Sequence, residues 1–305
     1  MNRVFWIILF CLQAAIANAN ELISPQCRSF VEIESVEEQK VVNSNGILWQ
    51  IGQDGNTLGY VFGTIHVSDI EITTLPEPVS EALIESRHFA MEALPEPEAL
   101  LLFSKKMFFQ DETRLNDFVD KAIINRIKEI LANYNVNAAM VNIMKPWSAF
   151  LTMNYPPDTG MPLDLVLLNK AMDVEAETYG LETLQEQADI FDSLSLKEQT
   201  RLLIDTVCNY DAVEADFIAL KSFYLERDLA GLYNYVNRYS TMHEPLYKKL
   251  MHRLIDKRNK LMVERMIPLL QQGNAFIAIG TMHLPGEKGV LALLEEQGYH
   301  LSAIY

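Results

Sequence analysis

Two apolar runs near opposite ends of the chain stop at the same four-residue turn. Tyr60-Val61-Phe62 enters Gly63-Thr64-Ile65-His66, and Phe276–Ile279 enters Gly280-Thr281-Met282-His283, more than 200 residues later. With 13 glycines and 6 histidines in 305 residues, about 0.3 Gly-x-x-His tetrads are expected by chance. Both copies also carry threonine second and both end a β-type run. A short apolar strand, a glycine turn and then an amphipathic stretch (here Val290–Glu296, closed by Gly298) is where an α/β protein places its chemistry, at the carboxyl end of a strand. The two turns meet only if the end strands pair in one sheet. The plainer alternative is two unrelated strand-end histidines satisfied by backbone.

The segments between support the first reading. Ile47–Ile51 and Leu58–Phe62 flank Gly52-Gln53-Asp54-Gly55-Asn56, a hairpin signal that delivers the chain to the first turn. Pro76-Glu77-Pro78 precedes a helix over Val79–Ser86, and His88–Leu94 reads as a buried strand with Glu92 near its carboxyl end. Residues 98–155 are helical almost throughout, including Ala99–Phe109 and Leu115–Asn133, and Leu163–Met172 is another helix. Val174–Tyr179 is β-like. Thr183-Leu184-Gln185-Glu186 and Ser195-Leu196-Lys197-Glu198 match the capping box, the second helix running through Cys208 towards Leu225. Pro245–Leu270 is helical again. The fold class is therefore α/β (α+β): a central mixed sheet built from N- and C-terminal segments, with a large helical insertion, mainly over 98–155 and 195–270, in a single domain spanning 20–305.

Residues 1–19 read as a signal peptide. Arg3 precedes an apolar run of 14 residues, Val4–Ala17, interrupted only by Gln13, and Ala17-Asn18-Ala19 fits the small-x-small cleavage rule. That run is shorter than the roughly 20 residues a membrane-spanning helix needs, so the chain is expected to be exported, periplasmic or secreted, without a stable membrane span. The formal charge of −16 argues against nucleic acid or an anionic membrane surface as partner, since both require clustered Lys and Arg. Past the leader two cysteines remain, Cys27 and Cys208. In an oxidising compartment they pair or stay as two buried thiols, and spacing leaves both open.

If the turns converge, His66 and His283 sit at adjacent strand ends with Glu92 at a third. Two imidazoles and one carboxylate form a catalytic-metal set for a borderline divalent ion such as Zn, Mn or Co. Such an ion activates water and polarises a carbonyl, as amide hydrolysis requires. Glu92 is either the third ligand or an unligated general base. Gly63 and Gly280 let backbone approach closely, and their turns are candidates for aiming N–H groups at an oxyanion. His88, His243, His252 and His300 lack the strand-then-glycine context and read as solvated or core residues. There is no phosphate loop, no H-E-x-x-H and no Ser/His/Asp spacing.

The segments GYVFGTIHVSD, GLETLQEQ, RNKLMVERM and AIGTMHLPGEKGVLALLEEQGY resemble, in order and spacing, the TraB/PrgY/GumN family, over about Ile47 to Tyr305. That family is related to the Tiki metal-dependent proteases, whose α/β core is similar to the erythromycin-esterase/ChaN group. The resemblance implies such a fold here, with His66, Glu92 and His283 at the functional positions. It adds Asp164 and Glu182 as further ligands or substrate-binding groups, and Arg258 as a clamp for a substrate carboxylate. The function expected is an exported metal-dependent hydrolase acting on peptide or protein substrates. The rivals are a non-catalytic protein that sequesters a peptide or glycan, and a metal-free esterase working by general base.

Overall fold

The computed structural model describes residues 27–33, 41–157 and 160–305; the leader expected over 1–19 lies outside them. The chain divides into two compact units. One takes Phe108–Asn154 and Leu196–Tyr210 with the chain up to Ser29, and the other takes Phe30–Met107, Tyr155–Ser195 and Asp211–Tyr305.

The larger unit is built on a six-stranded mixed sheet: β1 (Leu48–Gln53), β2 (Asn56–Thr64), β3 (His88–Ala93), β4 (Glu177–Glu182), β5 (Ala275–Gly280) and β6 (His300–Ala303), in the order β4-β3-β5-β2-β1-β6. The end strands do pair. β2 and β5 are parallel neighbours with Gly63 opposite Ile279 and Thr64 opposite Gly280, so both histidine turns leave the same edge. β3 continues the parallel set beside β5 and β4 beside β3. β1 is antiparallel to both β2 and β6. Inner parallel strands are covered on both faces, and Ala275–Ile279 are accordingly all buried. Phe276 packs against Phe62 and Phe89, with ring centroids 6.1 and 6.2 Å away.

Local chemistry explains the boundaries. The β1–β2 hairpin closes through Asp54 and Gly55, both at positive φ (51° and 79°), the geometry that matches strand twist in a two-residue turn. The strand read from Val174 begins three residues later, at Glu177, because Glu175 adopts φ 60° and ends the preceding turn. β6 was missed in the sequence: at four residues with only one large apolar side chain, Leu301, it carries little periodic signal.

Five helices matter to the site: α1 (Glu77–Ile84), α2 (Leu163–Asp173), α3 (Leu184–Asp192), α4 (Lys257–Gln272) and α5 (Val290–Glu296). α3 opens on the Thr183 capping box, with the Thr183 hydroxyl accepting from Glu186 N and the Glu186 carboxylate accepting from Thr183 N. α4 follows directly on a π-helical turn, His252–Asp256. It buries Met262, Val263, Met266, Leu269 and Leu270 at helical spacing.

The smaller unit is helical, with Leu115, Ile127, Leu131, Met153 and Leu203 fully buried in its core. The single helix expected from Ser195 towards Leu225 is two, Leu196–Cys208 and Tyr210–Glu226, broken at Asn209. The Asn209 side-chain Nδ2 donates to the carbonyls of Arg28 and Asp205. Cys27 and Cys208, 181 positions apart, form a disulfide with 5.7 Å between Cα atoms. Beside it the buried Asp205 accepts from Arg28 at 2.8 and 2.5 Å and from Arg201.

Because the disulfide closes so long a loop, Cys27→Ser/Cys208→Ser is expected to destabilise the helical unit by about 2–5 kcal/mol. Thermal unfolding with and without reductant checks this: wild type loses stability on reduction and the double variant does not respond.

Candidate active site at the carboxyl edge of the sheet

His66 lies two residues beyond β2. Its Nδ1 is 2.6 Å from Asp164 Oδ2, while the Thr64 hydroxyl donates to Asp164 Oδ1 at 2.7 Å. Asp164 is buried in the first turn of α2, where the positive helix end favours a carboxylate. Leu163 N donates to Val67 O at 3.1 Å, which ties the start of α2 to the histidine turn. The first turn of the motif thus needs its threonine to hold the carboxylate that orients its histidine.

The second turn is a single 3₁₀ turn, Thr281–His283. The Thr281 hydroxyl donates to Thr64 O at 2.8 Å, joining one turn to the other. His283 Nδ1 is 2.6 Å from Asn259 Oδ1, and Asn259 Nδ2 donates to Lys288 O at 2.7 Å. That second bond fixes which end of the amide faces the ring, so Nδ1 of His283 carries the hydrogen and Nε2 holds a lone pair. Nε2 faces Glu92 Oε1 at 3.6 Å.

Glu92 occupies the next strand. Its Oε1 accepts from Gly280 N at 2.7 Å; its Oε2 accepts from Arg258 Nη2 at 2.5 Å and Gln187 Nε2 at 3.3 Å. Arg258 also donates through Nε and Nη2 to Glu182, at 2.7 to 3.0 Å, from the end of β4. Side-chain exposure is 12% for Glu92, 12% for Arg258 and 2% for Glu182, so the ladder Glu182–Arg258–Glu92 is shielded from solvent and its charges act strongly on their neighbours.

Those charges set the protonation states. Burial disfavours the His66 cation, but the hydrogen bond and charge of Asp164, with the charge of Glu92, outweigh it and raise the pKa from 6.5 to about 9. The His66 ring keeps 40% of its surface open, which weakens the burial contribution and leaves the upward direction unchanged. Burial dominates at His283 and lowers it to about 4, against the pull of Glu92 and with the push of Arg258 and His66. Burial alone would raise Glu92, yet His283, Arg258, His66 and the Gly280 N–H together bring it down from 4.5 to about 2. Near neutral pH the site therefore holds an anionic Glu92 between a neutral His283 and two cations.

The glycines act through space. A Cβ on Gly63 would lie 2.8 Å from Leu284 Cδ1 and Thr281 Oγ1, and one on Gly280 would lie 3.0 Å from Glu92 Oε1. The Gly63 amide donates to Ile47 O and the Gly280 amide to Glu92, so both N–H groups are engaged within the fold.

All the residues singled out in the sequence fall at this edge: His66, Glu92, His283, Asp164, Glu182, Arg258, Gly63 and Gly280. Three partners were not assigned there. Asn259 orients His283, Gln187 bridges Glu92 and Glu182, and Tyr155 lies against His66 with ring centroids 5.8 Å apart. Asn259 had a signal, as the polar residue on the buried stripe of α4; Asp164 holds the same kind of place on α2. Tyr155 had none. His88 begins β3, at the opposite edge, and His252 pairs with Asp256 on the surface.

The donor chemistry suits a divalent ion. Each histidine has Nδ1 committed to an oxygen acceptor, the arrangement that frees Nε2 as a ligand. The 3.6 Å between His283 Nε2 and Glu92 Oε1 is slightly longer than the roughly 3.3–3.4 Å separating two tetrahedral ligands that each lie about 2.0–2.1 Å from one ion. Among the described residues no three His, Cys, Asp or Glu side chains already converge as a coordination cluster. His283 and Glu92 meet, and His66 is held at the adjoining strand end.

A parallel-centred sheet whose carboxyl edge carries paired Gly-Thr-x-His turns, a buried glutamate and an arginine ladder defines an α/β protein with a polar site at that edge. The family model described as TraB/PrgY/gumN matches residues 47–303, and the chain belongs to that family. It is 24% identical to metalloprotease TIKI2 of Danio rerio over 97% of this chain and 67% of that protein. It is also 24% identical to metalloprotease TIKI1 of Homo sapiens, over 84% of this chain and 61% of the relative. The chain thus spans about two thirds of the length of these relatives. No solved structure matches.

The pKa shifts imply a pH profile for the protein without a bound ion. The raised His66 contributes stability that is complete below 6.5 and is lost as pH rises through about 9. The lowered Glu92 contributes stability present above 4.5 and lost as pH falls through about 2. His283 acts against folding from 6.5 down to about 4, where the unfolded ring takes a proton that the folded ring refuses. The combined contribution peaks near pH 6.5. Denaturation across pH, with NMR titration of the imidazoles, is expected to show His66 protonated through neutrality and His283 neutral.

Proposed function

We propose that this protein is a metal-dependent hydrolase, exported to the periplasm or beyond, that cleaves peptide bonds at the carboxyl edge of its sheet. The observation that carries the reading is the pairing of His283 Nε2 with Glu92 Oε1 at 3.6 Å, its tautomer fixed by Asn259. The relatives named as metalloproteases, at 24% identity, support the same reaction class.

In this reading His66 and His283 hold the ion through Nε2, and Glu92 is the third ligand or the base that takes a proton from water. A bound divalent ion supplies Lewis acidity and a water that ionises near neutral pH. Asp164 and Asn259 keep the two rings turned towards the site, and Asp164 accepts the Nδ1 hydrogen of His66 whatever Nε2 binds. Arg258 keeps Glu92 ionised, and Glu182 holds Arg258. Because His66 is protonated up to about 9, it must release a proton from Nε2 to become a ligand, so affinity for metal rises with pH.

A second reading has its own support. Both oxygens of Glu92 already accept hydrogen bonds, from Gly280 on one side and from Arg258 and Gln187 on the other. That arrangement also serves a cleft that binds a peptide or glycan without turnover.

Metal analysis separates the two. Untagged protein titrated with Zn, Mn and Co is expected to bind one equivalent, and His66→Ala/His283→Ala to lose it together with peptide hydrolysis. Glu92→Gln is expected to cut hydrolysis by at least about 10²-fold. Metal affinity retained in that variant identifies a base, and affinity lost identifies a ligand. Absence of binding with both proteins folded rejects the hydrolase in favour of the binding protein, and chelator-insensitive hydrolysis favours the general-base esterase.

A further inference from the structure

Arg258 and Glu182 have a second face. They also line a surface cavity of about 300 Å³, whose other lining residues come from α3 with Ser193 and from the helical run from Arg253 to Leu261. Each of its acids already has a cation beside it, although Arg258 is shared between Glu182 and Glu92. Glu182 pairs with Arg258 at 2.7 Å, Glu186 with Arg265 at 2.7 Å and Asp189 with Lys106 at 2.5 Å. Two cations in the same cavity have no carboxylate partner among the described residues. Arg253 spends Nη1 on Ser193 Oγ at 2.9 Å and Ile190 O at 3.4 Å, leaving Nε and Nη2 for a ligand. Lys257 is exposed, four residues along the same helical run, and lines the cavity beside it.

In a chain with 25 basic and 41 acidic residues, two unpaired cations facing one concavity stand apart from their surroundings. Ile190 and Leu261 line the cavity as well, giving an apolar wall for a short methylene stem. A guanidinium fork with a neighbouring ammonium above an apolar wall is the chemistry that recognises a carboxylate.

We propose that this cavity is a carboxylate-binding subsite of the cleft, which takes an acidic side chain or the C-terminal carboxylate of a peptide through Arg253 and Lys257. The proposal rests on the peptide-directed reading of the site, to which the cavity is joined by the shared Arg258–Glu182 pair. It also moves carboxylate recognition away from Arg258, whose Nε and Nη2 are engaged by Glu92 and Glu182.

The test uses the full-length protein and matched fluorescent peptides: Glu against Gln at an interior position, and a free against an amidated C-terminus. Binding is read by anisotropy, and cleavage by mass spectrometry after loading with Zn, Mn or Co. A charge-assisted contact predicts about tenfold preference for one of the two carboxylates over its amide, and which pair shows it identifies the source. The preference is expected to fall to near one in Arg253→Gln/Lys257→Gln and to invert in favour of Lys-containing peptides in Arg253→Glu/Lys257→Glu. If either variant fails to fold, salt serves instead. Raising ionic strength from about 0.1 M to about 1 M shortens the screening length from about 10 to about 3 Å, and the wild-type preference should shrink severalfold. Carboxylate selectivity without cleavage would reject the hydrolase and keep the subsite. Equal affinity for acid and amide peptides, or a preference that survives the Gln variant or high salt, overturns the subsite whatever happens to turnover.

Discussion

The register between β2 and β5 is the constraint on which the site depends. Side chains alternate along a strand and parallel neighbours share a direction. Pairing Thr64 with Gly280 therefore puts two chemically matched turns at one height on one edge. A slip of one residue would turn the slipped strand's side chains to the opposite face. It would also break the bond from the Thr281 hydroxyl to Thr64 O. The absence of a Cβ at Gly63 permits this closeness, since Leu284 and Thr281 of the second turn occupy that space. The repeated Gly-Thr is thus a joint between two strand ends, and the histidines project from it.

Around that joint the polar groups form a nearly closed set. Glu182, Arg258 and Glu92 alternate in charge, and most of their surface is hidden from water. Buried charges are tolerated when each has a partner and its hydrogen bonds are satisfied, and they become costly when one partner is removed. Arg258 suits the middle position because its planar fork serves two carboxylates at once. Its positive charge holds Glu92 ionised and, with burial, keeps His283 neutral. His66, more open to water and paired with Asp164, holds its proton. Burial at His283 and the carboxylate beside His66 therefore give two imidazoles of the same motif opposite protonation states, the separation of roles that acid–base and metal chemistry both exploit.

Much of this was readable from the residue order. Apolar runs, the hairpin turn and the Thr183 capping box are local signals, and the elements they mark occur within a few residues of where they were expected. The repeated turn raised the possibility that the strand ends join, which the β2–β5 pairing establishes, and Glu92 was singled out by its place at the end of a buried run. The boundary at Val174 failed because a positive φ at Glu175 is invisible to a pattern of hydrophobicity. The break at Asn209 was hidden because both flanking segments favour helix. β6 escaped because an edge strand that pairs on one side alone needs few apolar residues. Asn259 and Asp164 illustrate an intermediate case: each is a polar residue on an otherwise apolar helical stripe. That pattern says a buried partner exists without saying which.

The sequence by itself determined the class of fold, the two turns and the residue types of the site, because each depends on neighbours within a few positions along the chain. Only the tertiary structure decided that Asn259 faces His283, that Arg258 lies between Glu92 and Glu182, and that Cys27 joins Cys208. It also decided that the Gly280 amide serves Glu92. These contacts link residues 24 to 188 positions apart. Such partners are selected by strand register and helix packing, which no local pattern encodes, and the protonation of each histidine follows from which partner that packing supplies.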